Sequence, residues 1–329
     1  MHLIPISPKI AVKEVATDLF KLSHHALNVV FKPGAFGGQL MSASLNSATQ
    51  STSPLYSPCS MRSSFLGPTL IGSDVYFKSE LVRKSGKTFL TRRVTGRQLS
   101  EGETIDELPS KPVLFEQTVA FYRSPSVEYA DISSSLISLM YSSFPMPSTK
   151  SDLEDAETLD ELLGRIKAGE VKRGPLYLMS LKMTQKLAEA DMLTTIKLPR
   201  TPSTSHNYGK SVFYVGVPVE LAISTKTVLP YISDGMTQVL ACHDVLDPFL
   251  KAWPSKLTVW DYAMTFECNG PKGGEDRARP FLDNIGKRWF AIEYTISGAR
   301  DGLGTGTTRI MDIDGPLLSS ATFSYLLLK

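Results

Sequence analysis

Apolar and polar residues alternate most clearly in two blocks, one before residue 124 and one at the C-terminal end. From Asp74 to Lys84, Val75, Phe77 and Leu81 lie two or four apart. Ser85-Gly86 supplies a turn, and Thr88 to Gln98 runs back, which predicts a β-hairpin. Pro112 to Arg123 is rich in β-branched and aromatic residues, with Val113, Phe115, Val119 and Phe121 on one parity. The three runs form an antiparallel meander, the arrangement that short connections favour. The layout recurs at the C-terminus. Lys287 to Ser297 reads as a strand, Gly302, Gly304 and Gly306 as a bend, and Thr307 to Ile313 as the next strand. Asp314-Gly315 is then a turn before the last strand, Leu317 to Leu328.

Ahead of each meander the period changes to that of a helix. Gln39 to Thr49 carries the small residues Ala43, Ser44, Ser47 and Ala48, which let a helix sit close against a sheet. About Ser233 to Leu246 places Met236, Val239, Leu240 and His243 on one helical face, with Ser233 or Asp234 where an N-cap belongs. One helix and one meander, repeated at an offset of roughly 200 residues, indicate an internal duplication of layout. Between the halves lie Ser134 to Met140, a Pro/Ser-rich stretch, and Ser151-Asp-Leu-Glu154, which reads as a capping box. Leu159, Leu162, Leu163 and Ile166 follow at helical spacing, with Gly169 to end that helix. The expected organisation is an α+β chain with an N-terminal unit (1–123), a connecting segment with an acidic surface helix (124–174) and a C-terminal unit (175–329). Pro199 to Ser211 reads as a loop.

Composition narrows the function classes. The chain has 329 residues, 42% of them hydrophobic and 21% charged, with a net charge of +2. Disorder needs low hydrophobicity and high net charge, and a balance this close to neutral gives no global attraction to nucleic acid or anionic lipid. A small-molecule partner is expected, and neither nucleic acid nor membrane. Cys59, Cys242 and Cys268 are too few and too scattered for a disulfide framework or a zinc site, and a reducing, cytoplasmic setting is expected. Met1 to Pro8 lacks the pattern of a secretory leader, and the end at Lys329 is not a peroxisomal address. Gly302-x-Gly304-x-Gly306 is followed by strand, so it is no dinucleotide loop, and no cofactor or metal is expected.

Several segments resemble the acyl-CoA thioesterase II family. Lys32-Pro-Gly-Ala-Phe-Gly-Gly-Gln39 is similar to the family's FGGQ entry to its first helix. Ser60-Met61 through Phe65-Leu66-Gly67-Pro68 is similar to its H-S-x-H-x-x-F-L-x-P-G strand, and Glu80 to Val94 to its E-x-x-R-D-G-x-x-F-x-T-R-x-V hairpin. In the second half Tyr231-Ile-Ser-Asp234 resembles the S-D helix start, and Asp261 to Phe266 the D-H-S-M-W-F strand. Arg279-Pro-Phe281, Gly302-Leu-Gly304, Arg309-Ile310 and Asp314-Gly315 continue in register. The resemblance implies a double hot-dog: two curved antiparallel sheets, each wrapping a long central helix.

The family activates water with an Asp, a Gln and a Thr or Ser. The resemblance places the Asp at Asp234, but Val259 at the hydroxyl position and Phe323 at the Gln position. Tyr262 stands where the family has a histidine after its Asp, and Cys59 and Arg62 where it has two more. A slip of one residue would offer Thr258 or Thr322, but on the wrong face of a strand. The resemblance therefore implies a more apolar pocket and a task other than hydrolysis: cyclisation, dehydration or isomerisation of an apolar or acyl molecule in specialised metabolism. Asp234, Tyr262 and Asp261 are the candidate catalytic groups. Gln39, Val259, Phe323, Arg62 and Thr258 are the candidate substrate contacts. Each has a structural alternative: Asp234 as an N-cap, Asp261 and Arg62 in ion pairs, Tyr262 in the core, Gln39 bonded to backbone. Thioester hydrolysis through Asp234 and non-catalytic binding are the competing functions. A chain that already holds two halves can act as a monomer or as a homodimer.

Overall fold

A computed structural model describes residues 9–26, 36–123, 150–190, 195–200, 209–218, 225–234, 237–238, 240–242, 256–266, 286–297, 302–313 and 317–328. His243, Cys268, Arg279 to Phe281, Asp314-Gly315 and the segment Ser134 to Met140 lie outside them. In chain order the first half contains β1 (Val12–Ala16), β2 (Leu19–Leu22), α1 (Gly37–Gln50), β3 (Ser57–Phe65), β4 (Asp74–Ser85), β5 (Phe89–Leu99) and β6 (Phe115–Tyr122). The rest contains α2 (Lys150–Asp155), β7 (Glu157–Thr158), α3 (Leu159–Lys167), α4 (Pro175–Ala190), β8 (Thr195–Leu198), β9 (Lys210–Pro218) and α5 (Thr225–Ser233). It closes with β10 (Lys256–Phe266), β11 (Lys287–Ile296), β12 (Leu303–Asp312) and β13 (Leu317–Leu328).

The strands form one sheet of thirteen, not two separate sheets, in the order β1-β2-β4-β5-β6-β3-β10-β13-β12-β11-β9-β8-β7. The antiparallel pair β3–β10 joins the halves, from Thr265 opposite Ser60 to Asp261 opposite Ser64. Outward from that seam the order is β3-β6-β5-β4-β2-β1 on one side and β10-β13-β12-β11-β9-β8 on the other, where β7 adds one edge strand without a counterpart. The halves thus repeat the same topology, as the layout of the sequence predicts. The expected hairpins form as β4–β5 and β12–β13, with β6 and β11 beside them.

Helix α1 packs on β3 to β6, and its residues from Gly38 to Ala48 are all buried. A helix buried on every side needs small side chains, which is what Ser42, Ala43, Ser44, Ser47 and Ala48 supply. The Asn46 side chain donates to Ile10 O at 3.2 Å, tying the N-terminal segment to the helix.

Two expectations are corrected, and one helix is added: α5 ends at Ser233, and beyond the bend at Asp234 residues 237–238 and 240–242 are helical, as expected of the segment from about Ser233. The capping box belongs to Thr158 and Glu161, not to Ser151 and Glu154. Thr158 Oγ1 accepts from the Glu161 amide at 3.3 Å, and the Glu161 carboxylate accepts from the Thr158 amide at 2.7 Å. Helix α3 is no solvated connector either: Leu159, Leu162 and Leu163 are buried in the main core, and Arg165 binds both oxygens of buried Glu157 at 3.0 Å.

Gly302 makes the expected turn, with φ at +82°. Gly304 and Gly306, however, lie inside β12, under the rings of Tyr325 and Phe323. A methyl group at either position would enter the ring above it, which is why strand glycines mark close approach. Gly306→Ala should lower stability by about 1–3 kcal/mol, the range for overpacking, read as a drop in thermal midpoint. Phe323→Leu should recover part of the loss by withdrawing the ring.

Candidate active site

The seam brings the start of α1 against the end of α5. Phe36 packs edge-on to Tyr231, with ring centroids 5.1 Å apart. A Cβ on Gly37 would lie 2.5 Å from Asp234 Oδ2 and 2.9 Å from Phe65 Cζ, and one on Gly38 would lie 2.9 Å from Tyr231 O. The Gly-Gly pair is thus required by close approach: it admits the Asp234 carboxylate to the first turn of α1. The amides of a helix's first turn have no partner within the helix, and its dipole is positive there. A buried carboxylate at 8% exposure therefore lies at the positive end of a helix.

A polar network lies beside it. Ser233 Oγ donates to Pro230 O at 3.2 Å and lies 2.6 Å from Tyr262 Oη. With the serine proton so engaged, Tyr262 is the donor to Ser233. Tyr294 donates to Ser233 O at 2.9 Å and accepts from Thr237 Oγ1 at 2.7 Å. Burial, reinforced by the Asp234 charge, holds both phenols above the ordinary tyrosine range. Phe323 stacks on Tyr262, with centroids 6.5 Å apart and planes 13° from parallel. Val259 packs against the same core. The wall facing Asp234 from β10 and β13 is therefore aromatic and aliphatic, while the exposed Thr322 turns to the other face.

Of the residues expected at the site, Asp234, Tyr262, Val259 and Phe323 share this inner face. Asp261 and Arg62 do not. Asp261 Oδ2 accepts from Arg62 Nη2 at 3.2 Å on the outer face of the seam, where the arginine side chain is 70% exposed. The physical reason is a bulge at Trp260: Val259 is opposite Tyr325, but Asp261 is opposite Ser324. The extra residue reverses the parity between Val259 and Asp261. Arg62 and Asp261 thus form a surface ion pair, and the catalytic and ligand roles expected of them find no place at Asp234. Gln39 is fully buried, and its amide donates to Lys9 O at 2.8 Å and to His25 O at 3.4 Å, so it bonds to backbone. Thr258 stands opposite Leu326 in the ladder. No cluster of metal-ligating side chains occurs among the described residues.

The sequence offers Ser233 only as an N-cap, and Thr237 and Gln238 are not singled out in it. Gln238 is fully buried, and neither polar atom of its amide has a partner among the described residues. The polar run Ser233-Asp234 and Thr237-Gln238 at the head of an apolar helix is the signal for them, since residues three and four apart share a helical face.

Two consequences can be measured. Tyr262→Phe should cost about 1 kcal/mol, the net value of one buried hydrogen bond, seen as a lower denaturation midpoint. A phenol with a raised native pKa stabilises the fold fully below its unfolded value and loses that contribution as pH rises through the native one. Stability should hold up to the ordinary tyrosine value of 10.0 and fall above it, with tyrosinate absorbance and loss of structure rising together.

Comparison with known proteins agrees with this architecture. Residues 30–108 match the family model for the acyl-CoA thioesterase N-terminal domain. No curated protein matches the sequence. Among solved structures, acyl-CoA thioesterase II TesB2 from Mycobacterium marinum superposes with a TM-score of 0.57 at 16% identity, over 98% of this chain and 96% of that one. The tesB protein of Mycobacterium avium subspecies paratuberculosis superposes with a TM-score of 0.60 at 14% identity, over 98% and 97%. A hot-dog protein from Alicyclobacillus acidocaldarius superposes with a TM-score of 0.58 at 13% identity, over 98% and 97%. These matches support the resemblance to the acyl-CoA thioesterase II family, whose hot-dog fold the chain shares along its length.

Proposed function

We propose that the chain is an enzyme acting on acyl thioesters, with Asp234 as its acid–base group and the first turn of α1 as the binding place of the thioester carbonyl. The single observation that carries this is the approach of Asp234 to Gly37. A carbonyl oxygen seated at the head of α1, on the amides of Gly37 and Gly38, would gain negative charge at the positive end of a helix. Asp234 then stands beside the acyl carbon chain. The match to an acyl-CoA thioesterase domain supports the substrate class.

The wall of Val259, Phe323 and Tyr262 favours proton transfer over hydrolysis. Val259 and Phe323 have no group to hold a water, and the Tyr262 hydroxyl proton is committed to Ser233. Removal of a proton next to the carbonyl by Asp234, with the enolate held by the helix amides, leads to isomerisation, dehydration or cyclisation with the thioester left intact. Hydrolysis is the second reading, and one observation favours it. Gln238, one helical turn past Asp234, has a buried amide free to hold a water.

A panel of acyl-CoA substrates, followed for free thiol and for the mass of the acyl group, separates the two. Asp234→Asn should lower turnover by at least about a hundredfold, the usual contribution of a general acid–base group; full activity in that variant would overturn the assignment. Unchanged thiol with a rearranged or dehydrated acyl group supports the first reading. Thiol release that Gln238→Leu abolishes supports the second.

A further inference from the structure

The inner face of the sheet carries a row of four side chains across the seam. Gln117 on β6 is opposite Ser63 on β3, Ser63 is opposite Tyr262 on β10, and Tyr262 is opposite Phe323 on β13. Gln117 and Ser63 are both fully buried. Among the described residues the Ser63 hydroxyl has no hydrogen-bond partner, and neither has Gln117 Oε1. Gln117 Nε2 has only the weak acceptor Met61 Sδ, at 3.4 Å. Side chains directly opposite in an antiparallel pair have Cβ atoms about 5 Å apart, yet these two do not bond to one another. Leaving such groups unpaired is costly, so each calls for an explanation.

The position supplies one. Ser63 lies two residues before Phe65, whose ring touches Gly37 beside Asp234, and it flanks Tyr262, whose hydroxyl binds Ser233 next to Asp234. The unpaired atoms therefore face the same interior as the site. The matched topology of the halves also makes β6 the counterpart of β13, so Gln117 stands in the first half where Phe323 stands in the second.

We propose that Ser63 and Gln117 form a subsite for a hydroxyl group on the acyl chain. The bound hydroxyl would accept from Ser63 Oγ and donate to Gln117 Oε1, satisfying both atoms at once. The substrate class is then a hydroxyacyl thioester rather than a plain fatty acyl thioester. A carboxylate would repel Gln117 Oε1, and a methyl group would satisfy neither atom. This inference rests on the acyl-thioester reading of Asp234 and names its substrate.

The test compares β-hydroxyacyl-CoA with acyl-CoA of equal chain length. Dissociation constants are measured by calorimetry on the intact chain bearing Asp234→Asn, so that no turnover is needed. The hydroxylated ligand should bind at least about tenfold more tightly, because a site built to bond a hydroxyl rejects the analogue lacking it. Ser63→Ala and Gln117→Met should each bring the ratio towards one, with plain acyl-CoA affinity unchanged. Gln117→Met keeps the volume of the side chain, and thermal unfolding confirms that it folds. Equal affinity for the two ligands overturns the subsite and assigns the unpaired atoms to an internal water. A preference for the hydroxylated ligand that both variants leave intact overturns it as well. If neither thioester binds, the acyl-thioester reading fails and the subsite falls with it.

Discussion

The molecule depends on one strand pairing. Five residue pairs of β3 and β10, Ser60–Thr265 to Ser64–Asp261, join two repeated halves into one sheet. That ladder sets the sheet register across the seam, and with it which residues of each half can meet. Side chains in a sheet alternate with a period of two, so a slip of one residue there would turn Tyr262 and Ser63 outward and bring Asp261 and Arg62 inward. The buried network around Ser233 and the exposed Arg62–Asp261 pair are two sides of the same register. The outer pair, at the surface, adds little energy of its own but tolerates only one alignment of the two strands.

The site is made between halves, which shapes its chemistry. The helix amides come from α1 and the carboxylate from the chain beyond α5. Neither half presents both. The two glycines at 37 and 38 therefore serve approach between halves rather than the local geometry of the helix. On the β13 side the chain has filled the wall with stacked rings, and Gly304 and Gly306 make room for them. The polar groups without partners lie elsewhere, on β3 and β6 and at Gln238.

The sequence made much of this legible. The alternation of Val75, Phe77 and Leu81, and of Val119 and Phe121, marked the meanders because one face of each strand is buried. Small residues marked α1 because the helix is enclosed. Asp234 was found through a motif, and the structure places it against Gly37. The failures have physical causes. Trp260 adds one residue to β10, and a bulge cannot be seen in a single strand, so simple alternation would set Asp261 on the face of Val259. The start of α5 was missed because Pro230 interrupts its pattern. Strand β9, next to a Pro/Ser-rich run, is buried on both sides at Tyr214 and Val215 and shows no alternation. Ser63 and Gln117 are ordinary residues 54 positions apart, and only the β3–β6 register brings them together.

The internal repeat has a consequence for counting. Where the second half has Asp234 ahead of its helical turn, the first half has Phe36, packed on Tyr231. Two identical halves would carry the carboxylate twice and build two equivalent sites. With both halves in one chain, each copy was free to change alone. The chain is therefore asymmetric where its fold is symmetric: a buried carboxylate stands at this point in one half and an aromatic ring in the other.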